Sequence, residues 1–319
     1  MLKLLSKKIA LQWIILIGLF AFAVYTIITK SNVANPEGTP YLFKCFASIF
    51  FQYKYLGKSI IISVLFFHIL FLQYYFKKNE YVTKNSFLPV CYYLSILLLT
   101  KSLTIISPFF FTLFFFLIII CIDLTGTSIR LKNNVFWTGI LIALATCFDL
   151  SSIILLLIVI VTLIINQFSR IKETGILLLG FILLYFYFFS FHFFIYNLDE
   201  WLLTFQQIKI LGVMSNPIEN LSFTMFSLIS LGIIYLFFIV KFKLISDAKV
   251  QLQRNRIITL NTRAVLIMAC ILLSNSSYPD ILGYLFVHLS IYLSILAYEK
   301  NPLYINDFIT IITLIALWH

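Results

Sequence analysis

Charged side chains are scarce in this chain: Asp, Glu, Lys and Arg make up 11% of its 319 residues, against 62% hydrophobic. A soluble globule of that length needs more polar surface than this to cover its exterior, so a chain with any sizeable soluble domain is excluded. Seven prolines and ten glycines mark no low-complexity linker. Five cysteines (Cys45, Cys91, Cys121, Cys147 and Cys270) occur without C-x-x-C spacing, and four of them lie inside apolar runs. They read as small buried hydrophobes, not as metal ligands or a disulfide framework. A Gly-rich phosphate loop, H-E-x-x-H and G-x-S-x-G are all missing, which argues against an ATPase or a zinc hydrolase. No metal and no cofactor is expected.

What the chain has instead is a succession of apolar runs. Eleven can be marked, at 9-29, 59-76, 86-100, 103-122, 135-148, 152-167, 174-196, 221-240, 264-274, 280-298 and 305-318. Of the 23 lysines and arginines, 17 fall in six clusters at alternate gaps: Lys3/Lys7/Lys8, Lys77/Lys78/Lys84, Arg130/Lys132, Arg170/Lys172, the group from Lys241 to Arg263, and Lys300. Short loops rich in Lys and Arg stay on the cytoplasmic side of a bilayer. The pattern therefore predicts a multi-pass protein of a bacterial inner membrane, with the N-terminus cytoplasmic and His319 extracytoplasmic. The inner gaps carry 17 basic and 6 acidic residues and the outer gaps 6 of each, so the net charge of +11 is accounted for by orientation. It calls for no nucleic-acid partner. Lys3, Lys7 and Lys8 precede an apolar stretch with no small-x-small cleavage site, which reads as a retained first span and not as a signal peptide.

The expected fold is all-α, a polytopic transmembrane helical bundle of about eleven spans or half-spans forming one integral membrane domain over 1-319. Runs 135-148, 264-274 and 305-318 fall short of the ~20 residues a perpendicular crossing needs, and are expected to be buried, tilted or re-entrant. The pair 135-148 and 152-167 is joined only by Asp149, Leu150 and Ser151, and basic residues flank its outer ends, so both ends stay cytoplasmic. Two outer loops, 30-58 and 197-220, each hold an amphipathic stretch. In the first, Leu42, Phe43, Phe46, Ile49, Phe50 and Tyr53 share a helical face; in the second, Trp201, Phe205, Ile208 and Leu211 do. Both are expected as interfacial helices. The stretch 241-263 reads as a basic inner loop that binds lipid headgroups.

Ionisable residues inside apolar runs are the default functional candidates, because hydrocarbon disfavours them unless they face a cavity or a partner. His68 and His288 lie near the middle of their runs, as a possible pair, cavity lining or simple hydrogen-bonded imidazoles. Lys101 marks a tight outer turn where it either snorkels or meets a lipid phosphate. Asp149 sits at the tip of the short helix pair, either at the lip of a cavity or as a turn and cap residue. Glu37 and Lys44 belong to the first outer loop, and Asp199, Glu200, Glu219 and Asp280 complete the outer acids.

A first span followed by an outer loop with an acid, Glu37, and an amphipathic helix, then many spans including the short pair N-V-F-W-T-G-I-L-I-A-L-A-T-C-F-D-L-S-S-I-I-L-L-L, resembles the class C glycosyltransferases. The layout and the 135-196 region are also similar to an uncharacterised family of bacterial polytopic inner-membrane proteins, which implies no activity. The class C resemblance implies use of a polyprenyl-phosphate-linked sugar on the extracytoplasmic side. It makes Glu37 the catalytic base with Asp149 in support, and Lys44 and Lys101 contacts for the lipid phosphate. The chain departs from that pattern in having no Asp-x-Asp in the loop, and no outer arginine offers the bidentate fork that a lysine lacks. Sparse polar residues and aromatic-rich apolar faces point instead to a non-enzymatic subunit of a secretion or envelope-biogenesis assembly. Its partners would be membrane lipids and other membrane-protein subunits. A transporter ranks third, since neither intramembrane charge pairs nor repeat symmetry is evident. If the enzyme reading holds, Glu37→Gln abolishes glycosyl transfer while expression stays normal; full activity of that variant in a defined glycosylation assay would rule it out.

Overall fold

The computed structural model describes residues 9-33, 41-79, 81, 86-99, 103-122, 124, 128-165, 171-195, 251-273 and 279-298. Helix dominates them. Ten α-helices are described: α1 Ile9–Lys30, α2 Tyr41–Gln52, α3 Lys54–Lys78, α4 Leu88–Leu99, α5 Pro108–Cys121, α6 Ser128–Phe148, α7 Ile154–Ile165, α8 Ile171–Ile195, α9 Gln251–Leu273 and α10 Pro279–Tyr298. Two-residue strands, Asn32–Val33 and Ile105–Ile106, and a 3-10 turn, Leu150–Ile153, complete the described elements. Nine of the eleven apolar runs coincide with these helices. The runs 221-240 and 305-318, and the second amphipathic stretch, lie outside the described residues.

Three helices among the described residues are long and apolar enough to cross a membrane: Ile9–Lys30, Lys54–Lys78 and Leu131–Phe148. The last corresponds to the run 135-148, which α6 extends at its N-terminal end through the polar segment Ser128–Asn134. At 1.5 Å per residue, the 21 residues of α6 span about 31 Å, close to the thickness of a hydrocarbon core. By the same rule α7, at 12 residues, covers only about 18 Å. These apolar helices suit membrane insertion.

The chain forms two compact units, Met1–Asn32 with Ile69–Ile105 and Val213–His319, and Val33–His68 with Ile106–Gly212. In the first, α4 packs against both α1 and α10, and α9 against α10. Gln12, Leu16, Ala23 and Ile27 are the buried side of α1, spaced by four and seven residues as one helical face requires. Ile14, Ile17, Phe22, Tyr25 and Ile28 are exposed on the rest. Residues 283-295 of α10 are buried all round. A serine precedes α4, where Ser86 Oγ accepts from the Leu88 N–H at 3.1 Å, and Pro89 sits in the first turn, where a missing N–H costs nothing. The Asn32 N–H donates to the Thr104 carbonyl at 2.9 Å.

In the second unit, α2 forms as its sequence pattern predicts, but its apolar stripe is covered. Phe43, Phe46, Ala47 and Phe50 are buried, and the rings of Phe43 and Phe46 lie 6.3 and 4.5 Å from that of Phe111 on α5. Lys44, Ser48 and Phe51 take the exposed side, and Tyr53, expected on the apolar stripe, lies past the end of the helix and is exposed. Phe111 in turn stacks on Phe148 at 5.2 Å, joining α5 to the end of α6. Ser107 and Pro108 start α5, with proline at the first helical position, where its fixed φ suits the helix.

The tightest packing in this unit is between α6 and α8. A Cβ at Gly139 would run into the Leu177 carbonyl, and one at Gly180 into the Phe136 carbonyl. Each glycine thus lies against the backbone one turn before the other, and the meeting of Tyr185 with Thr146 further along both helices makes the pair parallel. The Tyr185 hydroxyl donates to Thr146 Oγ1 at 2.5 Å and keeps the same parallel register further along. Small residues allow such backbone approach between apolar helices. Gly139→Ala and Gly180→Ala are each expected to destabilise the protein by about 1–3 kcal/mol, the usual cost of overpacking. Gly175→Ala, on the same helix with nothing within 4 Å of the added carbon, is expected to leave stability unchanged or raise it by up to ~1 kcal/mol through helix propensity. Thermal unfolding in detergent checks this, and identical behaviour of the three variants would contradict the close crossing.

Candidate functional site

The residues singled out from the sequence are distributed as follows. Glu37 and Lys101 lie outside the described residues, as do Asp199, Glu200 and Glu219. Lys44 is exposed on α2. Asp149 sits in the break between α6 and the 3-10 turn, where its carbonyl accepts from both the N–H and the hydroxyl of Ser152, at 3.1 and 2.7 Å. It takes part in the turn through its backbone. His68 is fully buried in the second unit, with its ring 4.9 Å from that of Phe110 and 6.4 Å from that of Phe114. His288 belongs to the first unit, where its Nδ1 is 2.9 Å from the Tyr284 carbonyl one turn back on α10. Each histidine is thus packed within its own unit, one among aromatic rings and the other against backbone.

The polar groups that come together most closely were not singled out from sequence, and they lie in the first unit. Gln12, the only amide in the first turns of α1, accepts the Phe87 N–H at 2.9 Å through Oε1, which also takes the Ser86 hydroxyl at 3.5 Å. The Gln73 amide nitrogen on α3 donates to the Ser86 carbonyl at 2.9 Å. Four polar contacts thus secure the start of α4, counting the bond from the Leu88 N–H to Ser86 Oγ. Beside them, the hydroxyls of Tyr75 and Tyr81 are 3.0 Å apart, Asn79 Nδ2 donates to the Tyr75 carbonyl at 2.9 Å, and Arg256 Nη1 donates to the Asn79 carbonyl at 3.3 Å. On α9 and α10, the Tyr292 hydroxyl donates to Asn261 Oδ1 at 2.9 Å.

Arg263 completes this group. It is buried, and its guanidinium acts electrostatically on both Tyr81 and His288. Burial pushes the Tyr81 phenol well above its ordinary range, the Tyr75 hydroxyl adds to the rise, and Arg263 opposes it. Tyr81 therefore stays protonated, a hydrogen-bond donor beside a fixed positive charge. The first half of α9 is the part read from sequence as the end of a basic loop; the helix begins at Gln251, thirteen residues before the run at 264. Leu260, Ala264 and Ile267 make its buried apolar face.

Two signals for this cluster were present in the chain. A lone glutamine in an apolar run is costly unless bonded, which marks Gln12. Arg256 and Arg263 are seven residues apart, so they share a helical face, with Ile257, Ile258 and Leu260 between them. In the second unit a further acid was missed: Glu173, in the first turn of α8, is buried with Oε2 lacking a hydrogen-bond partner. A carboxylate there is favoured by the helix N-terminus. Among the described residues, no three His, Cys, Asp or Glu side chains converge as metal ligands would. No family model, no curated protein and no solved structure matches this chain.

Removing one partner of a buried hydrogen bond costs more than removing both. Tyr292→Phe is expected to lower stability by about 1–2 kcal/mol, because Asn261 Oδ1 then loses its bond from the Tyr292 hydroxyl while remaining buried. The double variant Tyr292→Phe/Asn261→Leu is expected to recover most of that loss. Unfolding midpoints in detergent decide the matter, and an additive double variant would show that the bond ties α9 to α10 only weakly.

Proposed function

We propose that this protein is a multi-pass subunit of a bacterial inner-membrane assembly, non-catalytic, with its basic gaps on the cytoplasmic side. The observation that carries this reading is how its buried polar groups are used. Gln12, Gln73, Ser86, Tyr75, Tyr81, Asn261, Tyr292, Thr146 and Tyr185 bond one segment to another inside a unit. Hydroxyls of Thr26, Ser95, Thr162 and Ser294 turn back onto carbonyls four residues earlier on their own helices. The cross-segment bonds hold helices together, and the hydroxyls that turn back are satisfied on their own helices. Meanwhile Ile14, Ile17 and Phe22 on α1, and Leu179, Ile182 and Phe186 on α8, expose large apolar side chains along whole helices. Lipid and the helices of partner subunits suit those faces.

The parallel run of α6 and α8 supports the same orientation. Both helices start beside basic residues, Arg130/Lys132 and Lys172, and two parallel helices whose starts are cytoplasmic require the chain to return between them. α7 with its 3-10 turn provides the return. Purification of the tagged chain from native membranes in mild detergent is expected to bring down another integral membrane protein in stoichiometric amount. A monodisperse single chain with nothing accompanying it, from membranes cross-linked beforehand, would refute the subunit reading.

A further inference from the structure

Lysine gathers at the start of α3, where the proposed orientation calls for none. Lys44, Lys54 and Lys58 fall within residues 38-58, and no Asp or Glu occurs from 38 to 79. That end of α3 belongs to an outer gap, the side on which sidedness requires no excess of Lys and Arg. Tyr53 is the joint between α2 and α3: its N–H donates to the Ile49 carbonyl at 2.7 Å, and its carbonyl accepts from the Gly57 N–H at 3.0 Å. A Cβ at Gly57 would lie 2.9 Å from Phe50 Cα, so the first turn of α3 is pressed onto the last turn of α2. Lys54 and Lys58 are four residues apart in α3 and hence neighbours on its surface. Lys54 is exposed, whereas Lys58 is 8% exposed and heads the buried stripe Lys58, Ile61, Leu65 and His68. Its enclosed stem holds the ammonium beside Lys54. Both features cost stability, since like charges at this spacing repel and an ammonium drawn out of water loses hydration. An anion seated between the two offsets both costs.

We propose that the corner between α2 and α3 binds an anionic phospholipid, with its phosphate between Lys54 and Lys58 and its glycerol and acyl chains along the exposed side chains of Phe51, Tyr55 and Leu56. Depth favours a lipid. The 25 residues of α3 span about 37 Å against a hydrocarbon core of about 30 Å, and Lys77 and Lys78 mark the far end, so Lys54 and Lys58 stand at the level of the phosphates. Tyr53 and Tyr55, 63% and 91% exposed, suit the same level, where tyrosine rings gather at the membrane–water interface. Charge selects the headgroup. Two adjacent ammonium groups in an acid-free segment attract a lipid of net negative charge, and lysine binds phosphate as a point charge. A zwitterionic headgroup would bring its own positive charge to the same place. Only the leaflet, the outer one, rests on the proposed orientation.

The test uses the purified full-length chain in nanodiscs, which present both leaflets, so its outcome is separate from orientation and from whether a partner subunit is captured. Thermal unfolding is followed in phosphatidylcholine with increasing phosphatidylglycerol, and the midpoint is expected to rise to saturation. Lys54→Gln, on the exposed lysine, is expected to raise the half-saturating fraction of phosphatidylglycerol about tenfold by removing one charge-assisted contact. Lys58→Met keeps an unbranched stem and removes the charge. It is expected to unfold no lower than the unaltered chain in phosphatidylcholine alone, and to lose the rise. Lys172→Gln, on the exposed start of α8, is expected to respond as the unaltered chain does. A flat midpoint, a rise undiminished in both Lys54→Gln and Lys58→Met, or a rise reduced as much by Lys172→Gln overturns the proposal. An equal rise with inorganic phosphate in detergent, against chloride of the same ionic strength, would assign the lysine pair to free phosphate and overturn the lipid assignment.

Discussion

A polar group that leaves water must find its hydrogen-bond partner in the interior, and this chain has few polar groups with which to do so. That constraint governs both units. Gln12 is the clearest case: an amide four residues into α1 would be a liability in hydrocarbon, yet its oxygen takes the Phe87 N–H that the start of α4 cannot bond within its own helix. One side chain thereby removes two unsatisfied groups and fixes the first helix against the fourth. Asn261 with Tyr292, and Thr146 with Tyr185, do the same for α9 against α10 and α6 against α8. Where no second helix offers a partner, serines and threonines bond back to their own helix and add nothing to specificity.

Apolar packing alone would leave the register of these helices loosely defined, since leucine and phenylalanine pack acceptably in many positions. Register comes from the few contacts that tolerate no slip. Gly139 and Gly180 are such contacts, because moving either helix by one residue would bring a Cβ against a carbonyl. The Tyr185 to Thr146 bond then sets the position along the axis. Energetically each polar tie is modest, on average roughly half a kcal/mol between membrane helices. Its value lies in excluding alternatives, while the aromatic cluster of Phe43, Phe46, Phe111 and Phe148 contributes burial without choosing between registers.

Helices were legible in the sequence because continuous apolar runs leave no other option, and nine runs reappear as helices. Their ends were less legible. Ser128–Asn134 of α6 and Gln251–Arg263 of α9 are polar enough to pass for loop, yet both continue a helix, since hydropathy reports contact with hydrocarbon and not backbone hydrogen bonding. The amphipathic stripe of α2 was visible too, but a stripe says only that one face seeks apolar cover; Phe111 provides it here, and a lipid surface would have produced the same pattern. The candidate site was hardly legible. Attention to isolated ionisable residues led to His68 and His288, each of which is packed within its unit, while the residues that gather, Gln12, Tyr75, Tyr81, Asn261 and Arg263, come from three separate segments, α1, 75-81 and α9. Long-range assembly of ordinary amides and phenols leaves no spacing to read.

Arg263 shows why charge that orients a chain need not be spent on orientation. In the proposed orientation, its contribution to sidedness would be made while the chain inserts, when what counts is a positive charge kept on the cytoplasmic side of the run that follows. Once folded, the same guanidinium is buried beside Tyr81 and His288, where a topogenic role no longer needs it and where low effective dielectric strengthens its field. A lysine at the membrane surface would have served orientation equally well at less cost in desolvation. Placing an arginine in the interior, where its charge acts on Tyr81 and His288, is therefore a choice that orientation does not explain.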